Sequence, residues 1–313
     1  MNRYPFCLFR IPENGGRVLW EITNTCNYHC SYCIFSSESK KYEDELTTDE
    51  VKRAIKELKE NNFTYIKFTG GEPFTREDMT EILKYANKLG FDMDISTNAS
   101  LITDEIAKEL KDISFPMVHV SLDGADKNTH EFVRGKNTFE RTLRGIKYLT
   151  QNDIYTRIGT VIYKQNEDNL EDIVSLAIKL KADEIIFSFM EAVGRLDGDE
   201  TIISKRTIDS VKEELEKLAT KYKEQIQVKY SFTENRPTEI EECCPAINKF
   251  LYINNLGQVS PCTWVVSNYP EYKSKLTLKN STFTEIIKSE PIQRYLKYIE
   301  ENQIKGCPVT RRK

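Results

Sequence analysis

The chain has 313 residues, 39% hydrophobic and 30% charged, with a mean hydropathy of -0.54 and a formal net charge of -4. It is long enough for one large α/β barrel with a smaller appended unit. It has no apolar run near the roughly 18 residues of a membrane span and no signal-peptide core in MNRYPFCLFRIPENGG, so a cytoplasmic, membrane-independent protein is expected. Mild acidity gives no general attraction to nucleic-acid phosphates, and eight cysteines against three histidines (His29, His119, His130) turn attention to sulfur chemistry rather than imidazole sites.

Residues 1–16 form an N-terminal extension, after which RVLWEI (17–22) has strand character and runs directly into a cysteine-rich loop. Thr47 and Glu50 make a capping-box pattern before a helix whose Val51, Ile55 and Leu58 share one face. TYIKFT (64–69) is the next strand, followed by GGEP, a helix near 77–89 and Gly90 as its stop. The pattern then repeats: strand 91–97 and helix 103–111, strand 117–122 and helix 138–151, strand 155–163 and helix 168–181, and a sixth strand at 184–189. Strands alternating with amphipathic helices imply parallel pairing and right-handed crossovers. The expected fold is therefore α/β, a partial (β/α)6 TIM-like barrel over 17–200 with ligands at the C-terminal edge of its strands. A connecting helix fills 201–225, and short strands at 227–232 and 250–261, the latter turning at Asn254–Gly257, predict a small C-terminal α+β unit over 226–313.

Cys26, Cys30 and Cys33 form a CxxxCxxC run on the loop leaving the first strand. That spacing lets one short loop ligate three of the four irons of a cubane, leaving one iron open to chelate a substrate's amino and carboxylate groups. Structural zinc would need a fourth ligand, and His29, between two of the cysteines in a tight loop, is poorly placed to be one. The run TNTCNYHCSYC, with Tyr32 just before the third cysteine, resembles the radical S-adenosylmethionine (SAM) superfamily. The resemblance implies a [4Fe–4S] cluster that binds SAM and cleaves it reductively to a 5′-deoxyadenosyl radical, with Tyr32 packed near the adenine.

Gly70, Gly71, Glu72 and Pro73 follow the second strand, where paired glycines permit close backbone approach. They match the family's GGEP motif, which holds the methionine amino group. By the same resemblance Ser96 and Asn98 lie near the SAM ribose or carboxylate, and Ser121, Asp123 and Arg134 line the cavity. Arg195 is a candidate for a carboxylate of SAM or substrate, and Asp123, Arg134 and Arg195 are the candidates for catalytic roles. Each has an ordinary alternative as a cap, turn or surface residue.

Four further cysteines, Cys243, Cys244, Cys262 and Cys307, have the wide spacing of a site assembled by a folded unit. The phrase CPAINKFLYINNLGQVSPC resembles the family's SPASM/twitch extension, which builds an auxiliary [4Fe–4S] cluster. That resemblance implies Cys244, Cys262 and Cys307 as ligands. Such extensions end in CxxC, whereas this chain reads Cys307-Pro308-Val309-Thr310, so either Cys243 completes the set or the cluster keeps an open iron. Adjacent cysteines rarely both reach one cluster, and four unrelated buried thiols are the alternative to any site. Cys7 is read as a simple thiol.

The implied activity is that of a radical SAM oxidoreductase or bond-forming maturase served by a flavodoxin or ferredoxin-type electron donor. Its leading use is modification of a ribosomally synthesised peptide, although the 16 residues before the first strand leave no room for a peptide-recognition domain. Oxidation or rearrangement of a small molecule, such as a sugar, aminocyclitol or cofactor precursor, is the alternative. A non-catalytic iron–sulfur redox sensor or scaffold is a third reading, and the intact GGEP argues against it.

Overall fold

A computed structural model describes residues 14–40, 42–113, 117–232, 246–247, 249–263, 265 and 269–302. Nine strands make one sheet: β1 (Gly16–Thr23), β2 (Phe63–Gly70), β3 (Asp92–Thr97), β4 (Met117–Ser121), β5 (Thr156–Ile162), β6 (Glu184–Phe189), β7 (Gln227–Tyr230), β8 (Phe250–Ile253) and β9 (Val259–Ser260). Their order is β7-β6-β5-β4-β3-β2-β1-β8-β9, with every neighbour parallel except the antiparallel pair β8–β9. The helices are α1 (Thr48–Glu60), α2 (Met79–Lys88), α3 (Asp104–Lys111), α4 (Lys127–Arg134), α5 (Phe139–Gln151), α6 (Leu170–Lys179), α7 (Ile208–Lys221), α8 (Phe283–Ile287) and α9 (Glu290–Glu301). The curved parallel sheet is the partial barrel that the alternation predicts.

Local chemistry starts the helices where the sequence indicates. Thr47 and Glu50 close a capping box at α1, and Thr103 caps α3 by accepting from the Ile106 amide. Gly90 takes φ +72 after α2, the left-handed turn that ends a helix without a Cβ penalty. Val18, Trp20 and Ile22 on β1 and Ile66 and Phe68 on β2 join Val51, Ile55 and Leu58 of α1 in the main core between sheet and helices. The alternate strand positions face the concave side, which is why Arg17 of β1 can reach Asp94 of β3 across β2.

Two elements differ from expectation. Helix α4 was not anticipated; Asp126 caps it by accepting from the Thr129 amide, and Gly135 ends it at φ +97. The strand at 227–232, expected to open the C-terminal unit, instead pairs parallel with β6 as β7 and adds a seventh strand to the barrel sheet. The reason lies in α7, whose Val211, Leu215 and Leu218 are buried, so that it acts as a crossover helix of a β6–α7–β7 unit. The hairpin at 250–261 forms as expected, with the Gly257 amide donating to Asn254 O, but β8 lies parallel to β1 at the other end of the sheet. Phe283 of α8 packs edge-on to Phe63, tying the described C-terminal residues back to the barrel. Among the described residues no helix is long and apolar enough to cross a membrane.

Candidate functional site

The structure brings Cys26, Cys30 and Cys33 together on the loop after β1, Cys26 and Cys30 buried and Cys33 half-buried. The loop is held from several sides. The Cys26 amide donates to Glu38 O (2.8 Å) and the Ser31 amide to Val133 O (2.9 Å). Tyr28, packed among the cysteines, donates through Oη to Thr138 O (3.0 Å). Arg195, from the turn after β6, donates its guanidinium to the carbonyls of Cys30 and Ser37 and its amide to Cys33 O.

Each sulfur also receives one N–H: Tyr28 N to Cys26 Sγ (3.4 Å), Arg134 Nη1 to Cys30 Sγ (3.8 Å) and Ser37 N to Cys33 Sγ (3.5 Å). Burial pushes the Cys26 thiol up to about 12 and raises Cys30 against the pull of Arg134. Metal ligation needs the deprotonated sulfur, so a bound cation would offset this burial penalty. Among the described residues no three Cys, His, Asp or Glu side chains converge as a single-ion site would require. A cubane makes a different demand, since each sulfur binds its own iron and N–H donors stabilise the bound thiolates. The donor set fits an iron–sulfur cluster.

Behind this loop lies GGEP. The Gly71 amide donates to Thr23 O (2.7 Å) and the Glu72 amide to Thr25 O (2.8 Å). An added Cβ at either glycine would lie 2.1 Å from one of those carbonyl oxygens, so both glycines are required by the chain's own close approach to the cluster loop. Glu72 is fully buried; Oε1 accepts from Thr97 Oγ1 (2.7 Å) and Phe74 N (3.1 Å), Oε2 from Asn98 N (2.7 Å). Burial without a cation raises its carboxyl to about 7 despite those donors. Asn98 in turn donates to Asn27 Oδ1 (2.9 Å), linking the end of β3 to the cluster loop.

The remaining predicted residues fall into two groups. Ser96 and Ser121 stand half-buried at the C-terminal ends of β3 and β4 on the concave face. Asp123 is fully buried, accepting at Oδ2 from Tyr32 Oη (2.5 Å) and Arg134 Nε (2.6 Å) and at Oδ1 from Val161 N (2.9 Å). The Arg134 guanidinium lies 5.0 Å over the Tyr32 ring, so Tyr32, Asp123 and Arg134 form one unit beside Cys30. Arg195, proposed from sequence as a carboxylate binder, is engaged with backbone carbonyls of the cluster loop.

Cys262 follows β9 and packs, with Phe35 of the cluster loop, against Leu19, Phe250 and Tyr252. Cys243, Cys244 and Cys307 lie outside the described residues. Sequence reading missed Asn27 and the buried pair in which Tyr252 Oη donates to Glu21 Oε2 (2.5 Å). Burial raises the Glu21 carboxyl to about 7. No local pattern marks that pair, because its partners are 231 residues apart.

The model of the radical SAM superfamily matches residues 20–177, half of the 313 residues. An AdoMet-dependent heme synthase of Methanosarcina barkeri is 37% identical over 190 residues, covering 60% of this chain and 54% of that protein. A PqqA peptide cyclase of Bradyrhizobium diazoefficiens is 28% identical over 249 residues, covering 78% of this chain and 66% of its own. The chain thus spans between about half and two thirds of these curated relatives. The fold is shared with Streptococcus suis SuiB bound to S-adenosylmethionine, at a TM-score of 0.73 and 18% identity over 90% of this chain and 67% of SuiB. SuiB has also been solved bound to its precursor peptide SuiA. The chain belongs to the radical SAM superfamily, whose enzymes bind a [4Fe–4S] cluster and S-adenosylmethionine.

Proposed function

We propose that this chain cleaves SAM reductively and uses the resulting 5′-deoxyadenosyl radical to abstract hydrogen from a ribosomally synthesised peptide. The observation that carries the SAM chemistry is the convergence of Cys26, Cys30 and Cys33 with one N–H aimed at each sulfur, on a loop bonded directly to Gly71 and Glu72. When bound, the cluster supplies one electron to the sulfonium carbon–sulfur bond. The chain's own residues would orient and shield: Gly70–Pro73 would offer backbone carbonyls to the amino group, Ser96, Asn98 and Ser121 stand at the strand ends, and Asp123 fixes Tyr32 and Arg134 beside Cys30. Exclusion of water and exact placement matter because a primary radical attacks whatever C–H bond is nearest.

The peptide reading is supported by the peptide cyclase among the relatives and by the shared fold with a protein solved with its precursor peptide. A second reading, a small-molecule substrate, is favoured by the 37% identity to a heme synthase. We further propose that residues 226–313 include an auxiliary [4Fe–4S] site on Cys262, Cys244 and Cys307, with Cys243 as a further candidate, and that a flavodoxin or ferredoxin supplies electrons.

Anaerobic purification, reconstitution and an iron and sulfide count, followed by dithionite-dependent formation of 5′-deoxyadenosine, test this reading. About eight irons with turnover support two clusters, and about four with turnover remove the auxiliary site. Cys30→Ala should abolish SAM cleavage; Cys262→Ala should lose iron yet still cleave SAM without product. No cleavage under any reductant overturns the reading.

A further inference from the structure

Closed (β/α)8 barrels fill their interior with layers of branched aliphatic side chains. The concave face here is different. Behind the strand-end hydroxyls of Thr69, Ser96 and Ser121 stand Lys67 on β2, Asp94 on β3 and His119 on β4, with Arg157, Glu184 and Lys229 continuing the belt along β5 to β7. Two buried carboxylates are each shared by two cations. Asp94 is shared by Arg17 (2.9 Å) and, more loosely, Lys67 (3.4 Å); Glu184 is shared by Arg157 (2.5 Å) and Lys229 (2.6 Å). Of the other carboxylates on this face, Glu21 is bonded to Tyr252 and Asp92 stands exposed at the N-terminal end of β3, so in the buried part of the belt four positive side chains share Asp94 and Glu184.

His119 adds to this belt without relieving it. Its ring lies over Gly159, where a Cβ would overlap the imidazole, and its Nδ1 is buried without a hydrogen-bond partner. Burial, and then the charges of Lys67 and Arg157, hold the imidazole well below its ordinary range. Burial also lowers Lys67, opposed by Asp94 and reinforced by Arg17 and Arg157. The interior is nonetheless open: Lys67, Ser96, His119, Ser121, Ile186 and Ser188 keep partial exposure on strands paired at both edges. Their outward neighbours Ile66, Ile95, Val118 and Val120 have none.

From this geometry we infer that the barrel interior is a binding site for a carboxylate borne by the substrate, recognised by the Lys67 ammonium and the His119 Nδ1 position. Strand amides are committed to the sheet ladder, so recognition falls to side chains. One ammonium and one imidazole N–H match the two oxygens of a carboxylate. An anion there would add a partner to the Lys67 ammonium, which Asp94 holds only at 3.4 Å. The site lies one inward position behind the strand ends, so a substrate anchored on Lys67 extends toward the edge where SAM is placed; in this respect the inference rests on the function proposed above.

The test uses the full chain, reconstituted with its cluster and SAM, in calorimetric titrations with three probes. Glutarate is a free dicarboxylate, N-acetyl-glutamate N-methylamide carries the same group on a peptide unit, and glutaramide is the neutral isostere. The carboxylates should bind and glutaramide should not. Lys67→Met should weaken binding about tenfold or more, and Lys67→Arg should retain most of it. Tighter binding of the peptide-borne carboxylate identifies an acidic peptide side chain as the source, and tighter binding of glutarate a small-molecule acid. Should Lys67→Met fail to fold, the wild-type contrast of glutarate with glutaramide decides, together with a glutarate-induced shift of the His119 ring resonance, one of only three histidines in the chain. Equal binding of glutarate and glutaramide, or glutarate binding untouched in a folded Lys67→Met, overturns the inference. Formation of 5′-deoxyadenosine by the same wild-type preparation reports separately on the SAM chemistry, so failure of one reading is told from failure of the other.

Discussion

Gly71→Ala probes the contact on which the site depends. The new Cβ would lie 2.1 Å from Thr25 O and 2.5 Å from Thr25 C, both backbone atoms immediately before Cys26. Ordinary carbon contacts begin near 3.5 Å, so GGEP and the cluster loop must part by roughly 1 Å or more. The two hydrogen bonds that join them, at 2.7 and 2.8 Å, then exceed bonding distance. Their loss costs about 1–3 kcal/mol, and residual overpacking adds about 1–3 kcal/mol. For a chain of this size that corresponds to a fall in Tm of roughly 4–10 °C, read by circular dichroism of the apo-protein. A 1 Å misplacement of a binding loop can cost about 100-fold in rate, which the yield of 5′-deoxyadenosine reports. Gly198→Ala is the control: φ is +77 and nothing lies within 4 Å of its Cβ position, so only a local backbone cost is expected. A Gly71→Ala protein with wild-type melting and wild-type SAM cleavage would refute the clamp.

Two further outcomes follow from the same geometry. Arg195→Gln removes charged hydrogen bonds to the carbonyls of Cys30 and Ser37, each worth about 1.5–3 kcal/mol when well shielded and less here because Arg195 is only half-buried. Amides 30–37 of the apo-protein should exchange faster with deuterium and the cluster should be lost sooner; Arg195→Lys should not rescue, since one ammonium cannot span both carbonyls as the guanidinium fork does. Unchanged exchange would remove Arg195 from the support of the loop. The raised carboxyl of Glu72, about 7 against an ordinary 4.5, favours the protonated form in the folded state. Its contribution is fully present below about pH 4.5 and lost as pH rises through about 7, on the order of 3 kcal/mol over that window. Urea midpoints at pH 5 and pH 8 should therefore differ more in the wild type than in Glu72→Gln, which cannot titrate, and equal differences would show that Glu72 is not the titrating group.

Helix α1 and the turn at Gly90 were legible because their signals are local: a capping box spans four residues, and a left-handed stop is a property of one glycine. CxxxCxxC and GGEP were legible for the same reason, since each is a short run whose residue types and spacing define the chemistry. Helix α4 was not, because Asp126 and Gly135, which start and stop it, are also ordinary turn residues. The strand at 227–230 was recognised as a strand but placed in the C-terminal unit, whereas it pairs with β6. Its sequence states that it pairs, not with what, and α7 decides the matter by burying Val211, Leu215 and Leu218 against the barrel.

The linear sequence by itself determined the strands, most helices and the two motifs, because alternation, capping and ligand spacing act over a few residues. Only the tertiary structure decided why Gly71 must be glycine, what Arg195 holds, and that Glu21 meets Tyr252. Those relations join residues 46 to 231 positions apart, and they arise where parallel strands bring distant segments to one edge. The charged interior belongs to the same class. Arg17, Lys67, Asp94 and His119 are unremarkable one by one, and they become a site because strand alternation turns all four to the concave face while their neighbours pack beneath the helices.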